Sequence, residues 1–140
     1  MLSLKPLALL ALAPLAIQTA DCGDPTPTTG VAVGDVAVMI EACGFCHDAG
    51  GVATIVDEDT LRIDDFTYDG NAPDAYIYLG MGEDTFKTDG IRLSAKLDRP
   101  YAGESLTFDL PAGVTLADFD TIAVFCYRYD EVFASGTFAP

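Results

Sequence analysis

The chain has 140 residues, with 22 Asp and Glu against seven Lys and Arg and a formal net charge of −15. That acid surplus excludes a nucleic-acid-binding surface, which needs a basic face for the phosphates, and it excludes charge-driven adhesion to anionic lipid. Half of the residues are hydrophobic, so a chain of this size can bury a true core as one domain without disulfides to rescue it.

The first element in chain order is an export signal. Residues 1–6 carry one positive charge, Lys5; residues 7–17 are an apolar run broken only by Pro14; Gln18-Thr19-Ala20 is a small-residue exit before Asp21. A charged start, a short apolar core and a small residue at the cut form the secretory pattern, and the run falls short of the roughly 20 apolar residues of a membrane span. Cleavage after Ala20 is therefore expected. It leaves a mature chain without a membrane span, in a secreted, periplasmic or extracellular setting. Residues 24–30, rich in Pro and Thr, read as an extended linker. Residues 31–46 fit either a short helix or a buried strand, because periodicity does not arbitrate short apolar runs. The expected organisation is a signal peptide at 1–20, a linker and cysteine-containing segment at 21–46, and one domain at 47–140.

From Gly50 onward the pattern is β. Residues 51–56 are a β-branched run ending in the acidic turn Asp57-Glu58-Asp59. Leu61 and Ile63 then alternate with Arg62 and Asp64 as a half-buried strand. The apolar phase flips at Asp65-Phe66, which predicts a bulge or a change of sheet. Asp69-Gly70-Asn71-Ala72-Pro73 is a turn cluster, and residues 75–79 read as a strand covered on both faces. Ile91 and Leu93 mark a short strand after Asp89-Gly90. Leu106, Phe108 and Leu110 alternate with polar residues. Thr115 and Asp118 pair as caps around one helical turn at 116–119. Residues 122–129 form the most apolar strand, and Thr137-Phe138 adds a last edge. Short strands at this spacing imply a β-sandwich or barrel; the expected architecture is all-β, a single sandwich of about seven to eight antiparallel strands.

Four cysteines, Cys22, Cys43, Cys46 and Cys126, meet an oxidising compartment and allow three disulfide pairings. Strand parity groups Cys126 with Ile122 and Val124, so its thiol points into an apolar layer, where a thiol is inert unless a cation or a second sulfur lies nearby. One pairing joins Cys43 to Cys46 and Cys22 to Cys126. The favoured one joins Cys22 to Cys43 and Cys46 to Cys126, stapling the N-terminal segment onto a core strand; closing that long loop constrains the unfolded chain by about 4 kcal/mol.

The run Cys43-Gly44-Phe45-Cys46-His47 carries further readings. A Cys-x-x-Cys pair can be a tuned redox couple. With His47 the same residues match covalent c-type haem attachment, two thioethers and an imidazole iron ligand, and Met81 is a conceivable second iron ligand. Against haem, the remaining sequence is β, not the helices of a small cytochrome. Zinc at Cys43, Cys46 and His47 would need a fourth ligand, and export favours oxidation instead, so no metal site and no firm cofactor are assigned. The acidic groups around Asp57, Asp64 and Asp69 lack an EF-hand pattern, since a loop starting at Asp57 would place Arg62 at its turn glycine; they read as turn-forming, solvated carboxylates. No Ser-His-Asp set is present and the only His lies in the cysteine motif. The chain thus reads as something other than a stand-alone enzyme.

The stretch Asp65-Phe66-Thr67-Tyr68-Asp69-Gly70-Asn71-Ala72-Pro73-Asp74-Ala75-Tyr76-Ile77-Tyr78-Leu79-Gly80 resembles the DM-thirteen domain, also called the electron-transfer DM-thirteen domain, of Skeletor-type extracellular proteins. The likeness includes His47 with Gly50 and Gly51, then Thr60-Leu61-Arg62-Ile63, then the Phe-x-Tyr-Asp-Gly-x-x-Pro-Asp segment, then Leu110-Pro111. Phe125-Cys126 stands where that family has Trp-Cys, and Phe133-Ala134 where it has Phe-Gly. The resemblance runs from about His47 to Phe138. It implies an extracellular β-sandwich with a redox or electron-transfer role and nominates Cys126 as the redox residue, working with a redox or extracellular protein partner. Two other readings stand beside it: a non-catalytic extracellular binding or matrix module whose cysteines are all structural, and a haem-carrying electron-transfer protein.

Overall fold

The computed structural model describes residues 30–42 and 47–140. Eight strands run in chain order: β1 (Val36–Glu41), β2 (Gly50–Asp57), β3 (Thr60–Tyr68), β4 (Ala75–Gly80), β5 (Ile91–Arg92), β6 (Tyr101–Asp109), β7 (Thr121–Cys126) and β8 (Glu131–Thr137). A 3-10 turn at Glu83–Thr85 and one short helix, α1 (Phe86–Asp89), lie between β4 and β5. All pairings are antiparallel, in the order β5-β4-β7-β8-β1-β2-β3-β6. The sheet curls so that its two halves share one core: Ile55, Leu61 and Ile63 from one side pack with Ile77, Ile122 and Val124 from the other. Each such side chain, fully buried, contributes about 1.5–3 kcal/mol of hydrophobic stabilisation. The all-β, sandwich-like architecture expected from the strand spacing is what the chain adopts.

β1 resolves the ambiguity of residues 31–46 as a strand, and it joins the two halves. Val36 to Met39 pair with β2, while Ile40 and Glu41 pair with β8. Its Ala37 and Met39 enter the core. β1, which lies in the segment 21–46 that precedes the expected domain, is an interior strand of the sheet. β8 is likewise interior, between β7 and β1, and not the last edge that Thr137-Phe138 suggests. The outer strands of the sheet are β5 and β6.

Other elements follow the sequence closely. The register of β3 on β6 shifts between Ile63 and Phe66, and Asp65 takes the left-handed φ of 52° there. This bulge keeps Leu61, Ile63, Phe66 and Tyr68 all buried across the phase flip. β4 is covered on both faces. Its Ala75, Ile77 and Leu79 enter the main core, and Tyr78 packs with Phe125 beneath Phe86 of α1, a helix the sequence did not suggest. The helical turn expected at 116–119 is instead a hydrogen-bonded turn: the Thr115 and Ala117 N–H groups donate to Asp118 Oδ2 and Thr115 Oγ1, with no helix propagated. The caps formed, but four residues give too few backbone bonds to offset nucleation. The apolar strand expected over 122–129 ends at Cys126, where residues 127–130 reverse the chain into β8.

Candidate functional site

The site is assembled where the chain enters β2, leaves β3 and turns from β7 to β8. His47 and Asp48 take left-handed φ values of 48° and 50°, a sharp reversal before β2. The Asp69 N–H donates to the His47 carbonyl at 2.8 Å, extending the β2–β3 ladder by one rung. This backbone link sets the two side chains opposite each other. The His47 Nδ1 lies 3.0 and 2.9 Å from the two Asp69 carboxylate oxygens, and Asp69 Oδ1 also accepts the Asn71 N–H at 2.9 Å.

The following Gly70 is demanded by space. Its φ is +77°, and a Cβ there would sit 2.5 Å from the Arg99 carbonyl carbon. The Asp69-Gly70 pair is thus both the turn and the mount for the His47 partner.

The electrostatics follow from this arrangement. Burial draws the Asp69 carboxyl upward, yet the Asn71 N–H and the His47 ring hold it below the ordinary carboxylate value. With the carboxylate facing Nδ1, a neutral ring carries its proton on Nδ1 and presents Nε2 as an acceptor. Tyr68 is buried beside this pair, and its hydroxyl accepts the Ala72 N–H at 3.0 Å. Burial pushes the Tyr68 phenol up; the Ala72 N–H works the other way, and the charges of Asp69 and of an ionised Cys126 add to the push. The phenol therefore stays neutral at ordinary pH.

Cys126 ends β7, paired with Ala75 of β4 and Glu131 of β8. It is fully buried and is a free cysteine. Its side chain joins Ile122 and Val124 in the main core, as strand parity predicts. Beside it β8 bulges: Val124 pairs with Ala134 and Phe125 with Val132, so Phe133 is the extra residue. The bulge turns Phe133 inward, and its ring centroid lies 4.4 Å from that of His47. His47 also lies 6.2 Å from the Tyr68 ring. Above this floor is a cleft of about 410 Å³. One wall is Asn71, Ala72 and Pro73, the other Tyr129 and Glu131. The Tyr127 N–H, donating to the Asp74 carbonyl at 3.0 Å, ties the two walls together.

Of the residues named from sequence, Cys126 shares the main core with Tyr68, and His47 lies 6.2 Å from the Tyr68 ring. Cys22, Cys43 and Cys46, and with them the disulfide, haem and zinc readings that use them, lie outside the described residues. Met81 follows the far end of β4, six residues from the Ala75 end that pairs with Cys126, about 20 Å at strand spacing. It is 47% exposed, neither facing His47 nor packed in the core. Among the described residues, no three His, Cys, Asp or Glu side chains gather as metal ligands. The acidic groups have local partners: Asp57 accepts the Asp59 N–H, and Asp64 accepts Ser105 and Arg62. Asp69, Tyr68, Phe133 and Tyr129 are site residues that the sequence motifs do not single out for chemistry. For Asp69 and Tyr68 a signal existed, since both stand in the Phe-x-Tyr-Asp-Gly segment. No helix among the described residues is long and apolar enough to cross a membrane.

Comparison with known proteins gives a consistent result. Residues 44–138 match the family described as Electron transfer DM13. The chain is similar to the Drosophila melanogaster protein Skeletor, isoforms B/C, at 33% identity over 100 residues, covering 67% of this chain and 13% of that protein. It is similar to Skeletor isoforms D/E at the same identity, covering 67% of this chain and 7% of that protein. The chain thus spans a small fraction of the length of these relatives. No solved structure matches.

Proposed function

The chain belongs to the electron-transfer DM13 family, and on that premise we propose that it is an exported redox domain in which Cys126 is the electron-carrying residue and Cys46 its partner sulfur. The observation that carries this reading is the fully buried Cys126 sharing a core with Tyr68, whose ring lies 6.2 Å from the Asp69-paired His47. A thiol sealed in a core meets an external molecule only through a second sulfur of its own chain, and Cys46 immediately precedes His47. The Asp69-oriented imidazole belongs to the residue next in sequence to Cys46, and a base there would promote its nucleophilic thiolate.

The exchange balances. The Cys126 and Cys46 thiols give up two protons and two electrons as their S–S bond forms; a disulfide of an extracellular protein partner takes them and becomes two thiols. Export by residues 1–20 places the domain where such disulfides exist. The protein then acts as an electron carrier and not as a stand-alone enzyme.

Equilibration in graded glutathione buffers, followed by alkylation and mass analysis, tests this. Cys126 should pass from alkylated under denaturing conditions to protected, with a midpoint between about −120 and −300 mV. A Cys126 that stays a thiol across that range would leave a module whose cysteines carry no electrons.

A further inference from the structure

We propose that the cleft above His47 binds a phenolic ring, with the phenol O–H donating to His47 Nε2. The inference concerns the same site as the redox reading but does not depend on the chemistry of Cys126. The cleft holds about 410 Å³, within the range of small-molecule sites and ample for one substituted ring. Its surfaces are ring-shaped and apolar: Pro73 on one wall, Tyr129 on the other, Phe133 and His47 at the floor. Flat walls of this kind take flat ligands, because stacked and edge-on ring contacts add to simple area burial.

Polarity narrows the class. Asp69 engages Nδ1 of His47, so the opposite ring edge, Nε2, is the nitrogen left for the cleft, and in the neutral ring it accepts. A ligand therefore needs a donor. Glu131 at the wall, Asp69 behind the imidazole and the chain's net charge of −15 disfavour an anion. A neutral aromatic ring carrying one O–H satisfies shape, donor and charge together. Tyr129, 65% exposed on the β7–β8 turn, is free to close on a ring entering from solvent.

Three probes of nearly one shape test this: p-cresol, toluene, which lacks the donor, and 4-methylbenzoate, which replaces it with a charge. Amide resonances of Ala72 and Phe133 in the purified protein report binding. The proposal expects millimolar p-cresol binding at these residues, about tenfold tighter than toluene, the factor one hydrogen bond supplies, and no binding of the benzoate. His47→Phe keeps a ring at the floor and should bring p-cresol and toluene to equal affinity; Tyr129→Ala, at an exposed position, should weaken both in proportion. The wild-type comparison stands even if His47→Phe does not fold. Equal binding of p-cresol and toluene to the wild-type protein, benzoate binding best, shifts away from the cleft, or no binding by any probe would each overturn it.

Discussion

The imidazole of His47 and the carboxylate of Asp69, 22 residues apart in the chain, meet at 2.9 Å. That contact joins the entry of β2 to the exit of β3 and engages Nδ1 of the histidine ring, leaving Nε2 as its other edge. It is also an acid-sensitive element of the fold. The Asp69 carboxyl is held below its unfolded value, near 3.9 for a free Asp. Its contribution is therefore complete above that value and is lost as pH falls through the lower, folded one. Urea midpoints of the wild type and Asp69→Asn should differ at pH 6 and converge as the pH drops below about 4. A gap that stays constant down to pH 3 would remove the ionised Asp69 from this role.

Gly70 and Gly103 offer a matched pair. Their φ values are +77° and +80°, but a Cβ at Gly103 meets nothing within 4 Å, whereas one at Gly70 lies 2.5 Å from the Arg99 carbonyl carbon and 2.6 Å from the Pro100 nitrogen. Gly103→Ala carries only the left-handed backbone cost, about 1–2 kcal/mol. Gly70→Ala adds a backbone collision and should lose at least about 3 kcal/mol. Chemical denaturation of both variants checks this; equal losses would mean that the Asp69–Pro73 loop can move off Arg99 freely.

Tyr68 is buried, and its hydroxyl accepts the Ala72 N–H. Tyr68→Phe keeps the ring and strands a donor at Ala72, itself buried. The expected loss is about 1–3 kcal/mol, with faster hydrogen exchange at the Ala72 amide. Unchanged exchange there would show that another acceptor takes over.

The strands were legible where polarity contrast was strong. Leu106 and Phe108 against Thr107 and Asp109 mark β6, and the flip at Asp65-Phe66 marks a bulge that the structure forms with a left-handed Asp65. β1 was illegible because both its faces are apolar: Ala37 and Met39 point inward while Val36, Val38 and Ile40 are exposed, so no period stands out. Of β8 the sequence marks only Thr137-Phe138, as a last edge, since Ala134-Ser135-Gly136 has little strand character. Its place is set by packing: a Cβ on Gly136 would lie 2.5 Å from the Val38 carbonyl oxygen, so β8 lies close against β1.

The site was half legible. Cys126 and its inward direction followed from parity with Ile122 and Val124, and His47 from its adjacency to Cys46. Their relation through Tyr68 was not readable. It depends on long-range closures: the β2–β3 rung that faces His47 to Asp69, and the β8 bulge that turns Phe133 under the imidazole. Neither leaves a local pattern in the residues involved. The cleft walls, Pro73 and Tyr129, come from two separate turns and carry no signal until the sheet curls.

The redox reading rests on one bond more than any other. Peptide mapping of the air-oxidised protein under non-reducing conditions, with each cysteine's partner identified by mass, addresses it directly. The predicted result is a Cys46–Cys126 bridge that disappears on mild reduction while the domain stays folded. Recovery of Cys43–Cys46 as the dominant bridge, with Cys126 still a thiol, would contradict it.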